Sequence, residues 1–328
     1  MESAPCWEPP HALEEYRIVR RLGGGSMGQV YLAHDRLLDR PVAIKFAGMG
    51  EVGEATRERF FAEARAVARL SHPNIVAVHR FGEVRRRPYL VSEYVRGPSL
   101  DRLDKPLPWR RLHKIGLGLA RGLAWAHENG VLHCDVKPAN AMLGDGDEAK
   151  LIDFGLARLL DADPPPSATH AAAIACPLTD ESPVTATMTM PYRPPGRRGD
   201  GAPATASGTP PTAGPRRSAF PMTAGTPLYL APELWRGEPA TRRSDVYALG
   251  VLLYELASGA APHDGVSIDR LSVLVEEEAA APIASRAPSL PAELAGLIDA
   301  CLSRDPARRP RLDGALCEQL AALAPRPG

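Results

Sequence analysis

The chain has 328 residues, 44% of them hydrophobic, and its 39 Lys and Arg balance 39 Asp and Glu to a net charge of zero. That is enough apolar material for one large two-part domain or two ordinary ones. The balance argues against nucleic acid or an anionic membrane as the main partner. Five cysteines, widely spaced and without a CxxC pair, argue against a disulfide framework or a zinc site. They fit a reducing compartment, so a cytoplasmic location is expected.

The opening residues, MESAPCWEPPHALEEY, lack the basic start and apolar core of a secretory signal. Residues 1–12 are polar and Pro-rich and read as a flexible leader. Tyr16–Leu22, Gln29–His34 and Pro41–Phe46 predict short strands separated by turn-prone residues. Glu54–Leu70 predicts a helix, with Phe60, Phe61, Ala64, Val67 and Ala68 at helical spacing. Ile75–Phe81 and Pro88–Ser92 predict two further strands, which completes a small α+β unit over about residues 13–94. From Leu107 onward helices dominate: Trp109–Asn129, then Ser244–Ser258, apolar enough all round to be buried, then Leu271–Ala279, Pro291–Leu302 and Leu312–Leu323. No stretch of about 18 apolar residues predicts a membrane span. Residues 161–222 stand apart. They hold thirteen prolines, are rich in Ala, Thr, Ser and Gly, and carry too little large apolar surface to offset the entropy of ordering. A disordered insertion is expected there.

Three stretches carry chemistry. The first is Leu22-Gly-Gly-Gly-Ser-Met-Gly-Gln-Val30. Glycines let a backbone turn lie close to phosphates where a side chain would block the approach. A dinucleotide-binding turn needs a helix after its last glycine. Here the β-prone Gln29–Ala33 follows, which predicts strand, turn, strand. The second is Val42-Ala43-Ile44-Lys45. A lysine in an apolar strand needs an anionic partner, and Glu63 on the following helix is the natural candidate. The third is Val131-Leu-His-Cys-Asp-Val-Lys-Pro-Ala-Asn140, followed by Leu151-Ile-Asp-Phe-Gly155 and then Gly225-Thr-Pro-Leu-Tyr-Leu-Ala-Pro-Glu233.

Taken in order, these stretches resemble the eukaryotic-type protein kinase family, in particular its bacterial serine/threonine branch, from about Tyr16 to Leu323. The resemblance implies an α+β bilobal protein-kinase fold: a small N-terminal lobe built on a five-stranded antiparallel sheet with one main helix, and a larger, mostly helical C-terminal lobe over about residues 95–325. It also implies transfer of the γ-phosphate of ATP, with Mg²⁺, to Ser/Thr hydroxyls of protein substrates, with autophosphorylation, in signal transduction. Asp135 would orient the substrate hydroxyl or take its proton, and Lys137 would neutralise the transferring phosphate. Asn140 and Asp153 offer the hard oxygens that suit Mg²⁺. Lys45 would hold the α- and β-phosphates, and Glu63 would hold Lys45. Leu22, Gly23, Gly24, Gly25, Ser26 and Gly28 would cover the phosphates. Val30, Ala43 and Met142 would sandwich the adenine, whose edge would pair with the Glu93 carbonyl and the Val95 N–H. Lys137 and Thr226 match the serine/threonine form of the loop and segment. Asp245 would cap the catalytic loop backbone, and Arg309 would pair with Glu233.

Departures from the family pattern carry their own expectations. Ser92 falls where the family usually has a bulkier residue guarding the space behind adenine, so an open back pocket is expected. Cys134 replaces the arginine that in the family binds a phosphorylated activation-loop residue, so activity is expected not to require that phosphorylation. The stretch from Asp153 to Glu233 is much longer than usual because of the insertion, where Thr185, Thr187, Thr189 and Thr223 are candidate phosphosites. The membrane helix and external sensor that many bacterial relatives carry after the kinase domain do not appear, so a regulatory or adaptor protein is the further partner expected. An ATP-binding pseudokinase or scaffold is the alternative reading. It would predict loss of Lys45, Asp135, Asn140 or Asp153, and all four are present. A small-molecule kinase would lack Gly225–Glu233.

Overall fold

In the computed structural model, which describes residues 8–25, 28–48, 53–154, 227–312 and 315–323, alternation along the strands decides which side chains enter the buried layer and which face the other way. The strands are β1 (Ala12–Leu13), β2 (Tyr16–Gly25), β3 (Gly28–Asp35), β4 (Arg40–Ala47), β5 (Val78–Val84) and β6 (Arg87–Glu93), in the sheet order β1-β2-β3-β4-β6-β5, all antiparallel. Val42, Ile44 and Phe46 on β4 join Ala33, Tyr89 and Val91 in one buried layer, roofed by Leu13 and Tyr16. The residues between them, Ala43 and Lys45, therefore face the other way. Helix α1 (Glu54–Val67) seals its side of the sheet by burying Phe60 and Ala64 with Ala47 and Leu90.

Six strands are present where five were expected. The sixth is β1, formed by the end of the stretch read as leader. Glu14 turns with φ 53°, and Leu13 pairs back on Tyr16, because folding over lets both enter the buried layer. The strand expected over Ile75–Phe81 begins instead at Val78. Ile75 and Val76 are apolar for another reason: Ile75 bridges Leu151, and the Val76 N–H donates to the Leu151 carbonyl at 2.9 Å. The predicted insertion, residues 161–222, lies outside the described residues.

The helical lobe is built on α2 (Trp109–Glu128) and α4 (Arg242–Ser258), with α3 (Pro232–Trp235), α5 (Ile268–Glu277), α6 (Ala292–Cys301) and α7 (Ala315–Ala322) around them. Leu112, Ile115, Leu119, Leu123 and Ala126 form the buried stripe of α2. Its glycines bring neighbours close: a Cβ on Gly122 would stand 2.8 Å from the Asn74 carbonyl oxygen, so α2 can lie directly under the segment that leads into the sheet. Helix α4 starts at a capping box, with the Thr241 and Ser244 side chains each bonded to the other's backbone, and stops at Gly259 with φ 95°. Between the two helices in sequence, a short hairpin of β7 (Ala141–Leu143) and β8 (Ala149–Leu151) buries Ala141, Leu143, Ala149 and Leu151 in the same core. That hairpin and the loop before it carry the site.

Candidate active site

The glycine stretch is a hairpin. Gly23 pairs with Val30, Gly24 with Gln29 and Gly25 with Gly28, and β3 follows rather than a helix. Gly28 has φ 127°, and a Cβ there would collide with the Phe46 carbonyl oxygen, so both conformation and space demand glycine. Leu22 and Gly23 are half-buried and Gly24 is exposed. Ser26 lies outside the described residues.

Below the hairpin, register does the placing. Val30 is the cross-strand partner of Lys45, and Ala43 is the partner of Ser92, so Val30, Ala43, Lys45 and Ser92 share one face of the sheet. Lys45 meets the Asp153 carboxylate at 2.9 Å, and both are partly buried. This contact joins the sheet lobe to the segment after β8. Asp153 takes φ 57°, a left-handed conformation unusual outside glycine, of the kind found where function has been placed ahead of backbone comfort. Glu63 sits on α1, but its side chain lies outside the described residues, as do Gly155, Gly225 and Thr226.

The loop before β7 brings the remaining candidates together. Asp135 Oδ2 accepts from Lys137 Nζ at 2.8 Å and from Asn140 Nδ2 at 2.7 Å, and Asn140 Nδ2 also donates to the Asp135 carbonyl at 2.9 Å. Both amide protons of Asn140 are thereby used, which fixes its orientation and leaves its side-chain oxygen as the end available to a cation. Among the described residues no cluster of three or more His, Cys, Asp or Glu forms a metal cage. The oxygens of Asn140 and Asp153 instead fit a hard cation that keeps most of its ligands from water and phosphate.

What holds this loop is a buried polar network, only part of which was anticipated. Asp245 accepts from the backbone N–H groups of His133 and Cys134, both at 2.9 Å, as expected of a loop cap. His127 adds a third bond, with Nε2 2.8 Å from Asp245 Oδ2. Burial alone would raise the Asp245 carboxyl, but the hydrogen bond and charge of His127 and the contacts from His133 more than offset it and hold the group below the usual carboxylate range. Cys134 passes through the loop at φ 59°. The His133 ring is fully buried against Phe154, with centroids 4.5 Å apart. Its Nε2 faces the Ile152 carbonyl at 3.1 Å, and its Nδ1 accepts the Asp135 N–H at 3.4 Å. Those partners require the neutral tautomer protonated at Nε2, and burial pushes its pKa down accordingly. Further out, Arg309 grips Glu233 with two bonds of 2.7 Å, and Ser244 donates to the same carboxylate at 2.8 Å. Burial opposes that charge, but Arg309 keeps the Glu233 carboxyl below its ordinary value.

His127 and Lys150 were missed by the motif reading. His127 looks in sequence like one more residue on the apolar stripe of α2. Lys150 looks like a solvated strand residue, yet it reaches Glu93 at 2.8 Å. Only the partner reveals the role in each case. Val95 is buried at the start of the chain's passage into the helical lobe. Met142, the cross-strand partner of Lys150, faces the same side as that ion pair.

A strand lobe followed by a helical lobe whose first hairpin comes after a polar loop is the architecture of the two-lobed kinases. The chain belongs to that family: the protein kinase domain model matches residues 16–195 and 212–321. Similar curated proteins include the serine/threonine-protein kinase PknB of Mycobacterium leprae, 31% identical over 92% of this chain and 42% of that one. Another is PrkC of Bacillus subtilis, 31% identical over 90% of this chain and 38% of that one. The chain thus spans about two-fifths of the length of these relatives. Among solved structures, the kinase domain of Mycobacterium tuberculosis PknI is 25% identical with a TM-score of 0.61, covering 95% of this chain and 97% of that one.

Proposed function

We propose that the chain is an ATP-dependent protein kinase that phosphorylates Ser and Thr hydroxyls of protein substrates, itself included. The observation that carries this reading is the Asp135 carboxylate, one oxygen of which is held by both Lys137 and Asn140 while its loop is fixed from beneath by Asp245.

Phosphoryl transfer needs alignment and charge stabilisation more than covalent chemistry. Asp135 is 5% exposed and fixed in place, so it can orient an incoming hydroxyl and take its proton. Lys137 lies beside it and can follow negative charge onto the transferring group. Lys45, already paired with the Asp153 carboxylate, would bind phosphate, and Glu63 is the second partner this reading assigns to it. The glycine hairpin covers the phosphates with backbone. Val30, Ala43 and Met142 bracket the adenine, and Glu93 and Val95 meet its edge. Asn140 and Asp153 would hold Mg²⁺, which neutralises phosphate charge when bound. Thr226 supports Asp135 and Lys137 in this reading.

The test is transfer of labelled phosphate from ATP with Mg²⁺ to a generic basic protein and to the chain itself. Label on Ser and Thr should fall by about 10²–10⁴-fold in Asp135→Asn. Nucleotide binding without label in wild type would instead favour the pseudokinase scaffold.

A further inference from the structure

Lys150 is the only charged residue in the strands of the β7–β8 hairpin. Its four buried neighbours there, Ala141, Leu143, Ala149 and Leu151, pack into the helical core, so Lys150 and its cross-strand partner Met142 face the opposite way. The ammonium lies 2.8 Å from Oε1 and 3.0 Å from Oε2 of Glu93. Glu93 is the last residue of β6, where the chain leaves the sheet for the helical lobe. The pair is partly withdrawn from water, with side chains 17% and 32% exposed.

A second attachment makes this more than a surface ion pair. The Glu93 N–H donates to the Ala77 carbonyl at 2.8 Å, and Glu93 Oε2 accepts from the Ala77 N–H at 3.4 Å. The segment Asn74–Ala77 is in turn fastened to β8. The Val76 N–H donates to the Leu151 carbonyl and the Leu151 N–H to the Asn74 carbonyl, both at 2.9 Å, and Asn74 Nδ2 donates to the Ala149 carbonyl at 2.8 Å. The end of β6 is therefore closed into a ring: Glu93 to Ala77, Ala77 along its segment to β8, and β8 through Lys150 back to Glu93. Two residues beyond Leu151, the same chain reaches Asp153, the partner of Lys45.

We infer that Lys150 is a positioning residue for the nucleotide. By holding the Glu93 side chain to β8, it fixes the orientation of the Glu93–Val95 backbone that faces adenine. The inference rests on the nucleotide reading above. Its consequence is selective. A hinge free to turn must be ordered when the ligand binds, which weakens binding. The catalytic loop is anchored separately through Asp245, so the chemical step keeps its geometry. Loss of the clamp raises KM for ATP and spares kcat.

The experiment compares wild type, Lys150→Met, and the double variant Lys150→Glu with Glu93→Lys. Amide hydrogen exchange is measured without nucleotide, and KM and kcat are measured with ATP. In Lys150→Met, amides of residues 76–78 and 91–95 should exchange several-fold faster while those of residues 246–254 stay unchanged. KM for ATP should rise about threefold to tenfold with kcat within about twofold, as loss of a partly buried ion pair and of preorganisation predicts. The charge-reversed pair restores the ion pair but not the bond Glu93 accepts from the Ala77 N–H, so it should recover part of both effects relative to Lys150→Met. Unchanged exchange and unchanged KM would overturn the proposal. So would faster exchange with an unchanged KM, because the clamp would then be structural only. If wild type itself binds no ATP, the kinase reading fails and takes the proposal with it, a result told apart from the others by the wild-type protein alone.

Discussion

The two walls of the cleft are held by different physics. On the sheet side, Val30, Ala43 and Lys45 are presented by strand alternation and register, and the described part of the glycine hairpin is set by cross-strand backbone pairing. On the helical side, Asp135 and Asn140 are buried, and their loop is bound to Asp245, His127 and His133 through a network with few free ends. The helical wall is organised before any ligand arrives, which is where transition-state stabilisation needs rigidity.

The sharpest way to break this comparison is to remove one member of a buried pair on the rigid side. Arg309→Ala leaves Glu233 charged and without its guanidinium, and the chain should lose about 3–5 kcal/mol of stability in denaturant unfolding. The control sits on the sheet side. Arg80 pairs with Glu14 and Glu15, but its side chain is 42% exposed, so Arg80→Ala should cost no more than about 1 kcal/mol. Equal losses would remove the distinction between the walls.

Next in size is Gly28→Ala. The new Cβ meets the Phe46 carbonyl at a φ that alanine resists, so the hairpin must shift. We expect nucleotide affinity to weaken by about tenfold to a hundredfold, worth ~1–3 kcal/mol at a strained position, while Arg309 and its partners keep the helical lobe intact. Ligand titration followed by thermal unfolding would show both. A smaller effect belongs to Ser92, which shares the cleft face with Ala43 and Lys45. Ser92→Met should reduce affinity for an ATP-site ligand with a bulky extension behind adenine by about tenfold, the scale of one overpacked contact. Equal affinity in both proteins would show that no back pocket opens there.

How much of this was legible in advance follows the same division. Strand alternation and helical periodicity are local, so β2 to β6, α1, α2 and α4 could be read within a few residues. Lys45, Asp135, Lys137, Asn140 and Asp153 could be picked out because the resemblance supplied their spacing. What escaped was set by partners distant in the chain. The Ala12–Leu13 strand exists because Leu13 and Tyr16 can roof a layer made by β4 and β6. Ile75 looked like the start of a strand but belongs to Leu151. His127 and Lys150 acquire their roles only from Asp245 and Glu93. A buried or half-buried polar residue declares its purpose through what satisfies it, and that is invisible until the chain has folded.

Acid should expose the rigid wall gradually. His133 is buried and neutral, with its pKa pushed down by desolvation, while in the unfolded chain it titrates near 6.5. Below that value the unfolded state binds a proton that the folded state refuses, so stability falls as pH drops through the 6–5 range. Asp245 and Glu233 have lowered values, so their contribution is complete at neutral pH and is lost only at much lower pH, as each is protonated in the folded state. Half-buried His72 and His263 are also shifted down by desolvation and add a shallower slope of the same sign. Melting temperatures between pH 8 and 5 should fall less steeply in His133→Phe than in wild type. An unchanged slope would mean that His133 takes up its proton in the folded protein.

The smallest expected effect is none at all, and it tests the helical wall from the side of regulation. Cys134 stands where the family places an arginine for a phosphorylated residue. Its backbone N–H is already committed to Asp245, and its thiol cannot form a charge-assisted contact with phosphate. The loop is held from beneath by Asp245, to which His127 in turn is bonded, and neither contact involves a phosphate. Phosphatase treatment should therefore leave the initial rate of phosphate transfer within about twofold of the untreated protein, whereas an ordering phosphate acting through charge-assisted bonds would change it far more. Loss of activity on dephosphorylation would show that the network beneath the loop does not suffice, and that a cation other than one at position 134 must be recruited to order it.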